Sequence, residues 1–99
     1  MAFIFICPLT SFENDTIHED LQPYKLTTDI EFAKEFVTKN KTDIFEQGAY
    51  PYCAIVEIKD EIMPQIDTIS IYKFNKNNNT FYKISKIDET KLYPNLKII

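Results

Sequence analysis

Arginine and tryptophan are absent from this 99-residue chain, glycine and histidine occur once each (Gly48 and His18), and cysteine occurs twice. Without arginine there is no planar guanidinium fork, which argues against sites built on bidentate clamps for phosphate or carboxylate. A single glycine cannot supply a GxGxxG turn, a P-loop or a nucleophile elbow. A lone histidine leaves no imidazole pair for a zinc site. Cys7 and Cys53 each sit inside an apolar, strand-like run, where a thiol behaves as a small hydrophobe. Two such cysteines, with no secretory signal, read as reduced and buried. The run Ala2–Cys7 is too short to span a bilayer and lacks the basic flank and cleavage site of a signal peptide. The expectation is a cytoplasmic protein with no membrane association, no cofactor and no bound metal.

What is present is enough for one domain over residues 1–99. The chain is 44% apolar, with eight Phe and six Tyr as large core anchors. A domain of this size buries roughly 60–65% of its unfolded surface, so one core without staples is feasible. The net charge of −4 is unevenly spread. Residues 11–31 carry six acids against Lys25, whereas residues 68–99 carry six lysines against Asp88 and Glu89. Two surfaces of opposite sign follow, either attracting each other across the fold or simply solvated. The Ile, Lys and Asn bias with no Arg resembles an AT-rich coding sequence, which points to a bacterial or phage source.

Tyr50–Ile58 is apolar on both strand phases and reads as a central strand covered on two faces. Ala2–Cys7, stopped by Pro8, reads as a second buried strand. Residues 8–27 are irregular and turn-rich, a loop of about twenty residues that is long for a compact domain. Thr28-Asp29-Ile30-Glu31 has the form of a capping box, with Ile30, Ala33, Phe36 and Val37 following at helical spacing. The main helix is expected over 28–40, with a further helical stretch carrying it to 47 and Gly48 as its left-handed cap. Thr68–Asn75 and Thr80–Ile87 flank an asparagine-rich hairpin loop. Ile69 and Ile71 lie on one phase, Tyr72 and Phe74 on the other. Either a bulge shifts the phase or the strand buries both sides. The tail from Leu92 is apolar enough to pack as a short edge strand.

The fold class is α+β, a small two-layer sandwich in β-α-β-β-β order. The helical crossover makes the first and central strands parallel, so the sheet is expected to be mixed, mainly antiparallel. The second face of the central strand then needs cover from the 8–27 loop, the tail or a second copy of the chain.

Candidate chemistry is sparse. Glu13, Asp15, His18, Glu19 and Asp20 could approach a metal, but the spacing fits no calcium loop and a solvated loop is the simpler reading. Either thiol as a nucleophile would depend on His18, the one imidazole available. Aromatics and lysines alternate along the hairpin at Tyr72, Lys73, Phe74, Lys76, Phe81, Tyr82, Lys83 and Lys86, a pattern that can stack bases and neutralise phosphates. The acidic balance and the missing arginine rank nucleic acid below a protein partner. No catalytic constellation stands out, so the reading is non-enzymatic. A small interaction protein of bacterial or phage type would bind a macromolecule through Glu13, Asp15, Glu19, Asp20, Asp29 and Glu31, as an inhibitor or immunity-type protein does. The alternatives are a nucleic-acid module using the hairpin 68–87 and a metal- or small-molecule-binding domain. A homodimer is the remaining partner expectation.

Overall fold

Runs of β-branched and aromatic residues form four strands: β1 (Ala2–Leu9), β3 (Tyr52–Lys59), β4 (Gln65–Asn75) and β5 (Thr80–Ile87). A short β2 (Lys25–Thr27) and the helix α1 (Ile30–Thr38) lie between β1 and β3. The computed structural model describes residues 2–13, 17, 19, 21–59 and 65–87, apart from the side chains of 2, 59, 65–68 and 85–87. The expected tail strand lies outside these residues.

The α+β class with one main helix holds. The strand order is β2-β1-β3-β4-β5, and every neighbouring pair is antiparallel. The expected mixed sheet is therefore corrected: β1 and β3 pair antiparallel, from Ala2 opposite Lys59 to Leu9 opposite Tyr52. The physical reason is β2, which lay unseen in the 8–27 segment. It pairs antiparallel with β1, Lys25 opposite Ile6 and Thr27 opposite Ile4, and so reverses the chain before the helix begins. The crossover joins β2 to β3, and those two strands run the same way on either side of β1. The crossover rule applies to this helix but links a different pair of strands.

β1 also continues through Pro8. The Ile6 carbonyl accepts from the Tyr24 N–H at 2.7 Å, so Ile6 faces β2. Pro8, two residues on, faces the same way but past the end of that strand, where a missing N–H breaks no ladder bond.

The helix is shorter than 28–40 at both ends. Asp29 caps it in place of Thr28: its Oδ1 accepts from the Glu31 N–H at 3.0 Å and the Phe32 N–H at 3.3 Å. At the far end the Asn40 N–H donates to the Val37 carbonyl (2.9 Å) and the Lys41 N–H to the Phe36 carbonyl (3.1 Å). With Asn40 at φ 48°, this is a Schellman turn. The helix does not extend to 47. Thr42, Asp43, Glu46 and Gln47 hold φ values of 58°, 54°, 46° and 55°, and left-handed residues cannot continue a right-handed helix. Gly48 follows at φ 110°. A Cβ there would meet only the Phe45 ring, at 3.9 Å, so glycine is required for its backbone and not for space.

Both faces of the sheet are covered. Ile4, Ile6, Cys53, Ile55, Tyr72, Phe74 and Phe81 pack with Ala33, Phe36 and Val37 of α1 and with Ile44. Phe5, Cys7, Leu9, Ala54, Val56, Ile58, Ile69 and Ile71 form the other face, where Ile17 and Leu21 join the core and Phe12 packs against it. The long loop thus supplies part of the second cover. β4 buries both of its sides, which explains the two apolar phases. The register shift between Ile71 and Tyr72 comes from an extra residue on β5, since Ile71 faces Ser85 and Tyr72 faces Lys83.

Candidate functional site

At the upper end of β1 the chain turns at Thr10, and three separate segments enclose a cleft of about 400 Å³. Pro8 and Thr10 come from the end of β1. Glu19, Gln22, Pro23 and Tyr24 come from the loop that leads to β2, and Glu46 and Tyr50 from the turn before β3. Glu19 closes its loop by hydrogen bonds. The Thr10 N–H donates to Oε1 at 3.0 Å, the Thr10 hydroxyl to Oε2 at 2.6 Å and the Ser11 N–H to Oε2 at 3.2 Å. All three donors are neutral, so they orient the carboxylate and leave its charge in place.

The opposite wall depends on Asn40, the one buried polar residue among those described. Its Oδ1 accepts from the Phe45 N–H at 3.1 Å, and its Nδ2 reaches Asp43 Oδ1 and Asn79 Oδ1, each at 3.4 Å. Phe45 stacks on Phe74 with ring centroids 3.8 Å apart. These contacts hold the left-handed residues that present Glu46. Such conformations cost of order 1 kcal/mol or more each and persist only where surrounding contacts impose them. Tyr24 and Thr42 share a hydroxyl hydrogen bond of 3.0 Å, which ties the two walls together.

The described acids of the 11–31 segment, Glu13, Glu19, Asp29 and Glu31, do not meet in one cluster. Glu13 is exposed, and Glu19 lines the cleft. Asp15 and Asp20, with His18, lie outside the described residues. Asp29 is engaged as the cap of α1, and Glu31 lies 3.7 Å from Lys34. These last two sit beside the Ile4 end of β1, whereas Glu19 sits at the Thr10 end. Lys39 hydrogen-bonds Glu35 at 2.8 Å and, with Lys41, holds that carboxyl below its ordinary range. The lysines at the end of α1 therefore serve acids of their own segment.

The hairpin residues divide. Tyr72, Phe74 and Phe81 are buried in the helix-side core, which corrects their place in a base-stacking surface: an enclosed ring has no free face. Lys73, Lys76, Tyr82 and Lys83 are exposed, and the Lys86 side chain lies outside the described residues. Burial, with smaller contributions from Cys53, Glu31 and Glu57, pushes the Tyr72 phenol up. Burial also pushes the Cys7 thiol up to about 12 and the Cys53 thiol well above its ordinary value. The two thiols lie on opposite faces of the sheet. Among the described residues no group of three acids, cysteines or histidines could hold a metal, and no helix is long and apolar enough to cross a membrane.

Glu46, Tyr24 and Tyr50 were not singled out from sequence. Glu46 and Tyr50 are separated from Glu19 and Tyr24 along the chain by the whole of β2 and α1, and no local spacing signals that the two segments share a cleft. Compared with family models, curated proteins and solved structures, the chain matches none.

Proposed function

We propose that this protein is a non-enzymatic binding module that engages a basic protein partner through its acidic face. One observation carries the reading. The cleft is lined by two acidic residues, Glu19 and Glu46, with Tyr24 and Tyr50, and by no lysine among its described lining residues. A concave site of this size that joins ring-bearing side chains to polar and charged ones is a form that recognition sites take. Its charge favours a cationic occupant. Glu13, Asp15 and Asp20 add to the negative charge of the stretch of sequence that contains Glu19, which would speed encounter with a basic surface. The lysine-, isoleucine- and asparagine-rich composition and the two buried, reduced thiols support a cytoplasmic setting in a bacterium or a phage-infected cell, and an inhibitor or immunity-type role fits the size and charge.

The test is capture of a partner by the tagged protein in its host lysate, measured over a range of salt. Wild type should retain one basic protein stoichiometrically and release it as salt rises. The variant Glu13→Lys/Asp15→Lys/Asp20→Lys should weaken that binding by at least about tenfold, or about 1.4 kcal/mol. Binding that is indifferent both to salt and to the triple reversal would overturn the reading.

A further inference from the structure

The geometry points to a more specific occupant: the cleft receives one guanidinium group, presented by an arginine side chain of the partner. This rests on the acidic-face reading and names its chemistry. Two glutamates line the cleft from different segments, Glu19 from the loop before β2 and Glu46 from the turn before β3. Among the described residues Glu19 accepts only from the Thr10 N–H and hydroxyl and the Ser11 N–H, and neither glutamate forms an ion pair. An anionic ligand would meet two like charges, and a neutral one would leave both uncompensated.

The walls decide between the two biological cations. Tyr24, Tyr50, Pro8 and Pro23 are among the lining residues, and their rings are flat and weakly polar. A guanidinium is planar and weakly hydrated, stacks on aromatic rings, and donates up to five hydrogen bonds in a fixed fork. A lysine ammonium is compact and strongly hydrated, and gains less from flat walls. A cleft of about 400 Å³ is larger than an ammonium needs and has room for the fork with part of its alkyl stem. The chain has no arginine of its own, so the group must come from another molecule. Tyr24 and Glu46 are exposed, so a side chain can enter from solvent.

The probe is acetyl-arginine amide, titrated into ¹⁵N-labelled protein, with acetyl-citrulline amide as its neutral isostere and acetyl-lysine amide as the competing cation. The arginine compound should shift the amide resonances of Thr10, Ser11, Glu19, Glu46 and Tyr50 and saturate in the millimolar range. Citrulline should leave them unmoved, and lysine should bind at least about threefold more weakly, a difference of about 0.7 kcal/mol. Glu46→Gln, a change at an exposed position, should weaken arginine binding while the spectrum stays dispersed. Equal shifts from arginine and citrulline, shifts confined to other residues, or lysine binding as tightly as arginine would overturn the assignment. If arginine produces no shift while salt-sensitive partner capture persists, only this inference falls. If both fail, the acidic-face reading falls with it.

Discussion

Replacing Asn40 separates two roles that one side chain plays at the end of α1. Its backbone is left-handed, at φ 48°, and its Oδ1 accepts from the Phe45 N–H at 3.1 Å. Asn40→Gly keeps the backbone comfortable and removes the acceptor. A donor stripped of its partner costs about 1–3 kcal/mol, and this one is only part-buried, so a loss of about 1–2 kcal/mol is expected. Asn40→Ala removes the same acceptor but keeps a Cβ in the left-handed region, which without a local hydrogen bond costs roughly 1–2 kcal/mol relative to glycine. The less flexible unfolded chain of alanine offsets about 0.4–1 kcal/mol of that. Alanine should therefore fall about 1 kcal/mol below glycine, at a total loss of about 2–3 kcal/mol. Urea unfolding followed by circular dichroism measures both steps, and in heat scans each 1 kcal/mol should lower Tm by roughly 4–8 °C. If alanine and glycine are equally stable, the left-handed argument is refuted. If glycine matches wild type, the hydrogen bond to Phe45 contributes nothing and the turn that carries Glu46 is held by other contacts.

Two further predictions concern the core. Burial raises the Cys7 thiol from 9.0 to about 12, so the folded state holds this proton more tightly than the unfolded chain does. The resulting stability is complete below about pH 9 and is lost as pH rises toward 12, at about 1.4 kcal/mol per pH unit for that thiol. Urea unfolding across that window should show a smaller slope for Cys7→Ala than for wild type, and identical slopes would refute the burial argument. Phe74 stacks on Phe45 and meets Phe81 edge-on at 5.2 Å. Phe74→Ala should cost about 3–5 kcal/mol in thermal unfolding, whereas a cost under about 1 kcal/mol would mean that the ring cluster is not part of the core.

Much of the fold was legible because periodicity reports burial directly. β3 shows two apolar phases, and both are buried. The one helix is present, and Ala33, Phe36 and Val37 form its inner face as their spacing implies. The errors concern short or left-handed segments. β2 is three residues long, too short to show alternation, and it alone inverts the direction of β1 relative to β3. Asp29 displaced Thr28 as cap because adjacent Asp and Thr are both good caps, and one residue of phase separates them. The 40–48 turn looked helical because its composition allows a helix. Its φ values follow from contacts of Asn40 with Phe45 and Asn79, one of which spans 39 positions.

By itself, the sequence determined the α+β class, the central strand, the helix and the absence of arginine- and glycine-dependent sites. These properties are set by composition and by neighbours a few residues apart. The tertiary structure alone decided the all-antiparallel sheet and the burial of Tyr72, Phe74 and Phe81. It also brought Glu19, Tyr24, Glu46 and Tyr50 to one cleft. Each of these depends on residues distant in the chain, and on a reversal by three residues that no local period records.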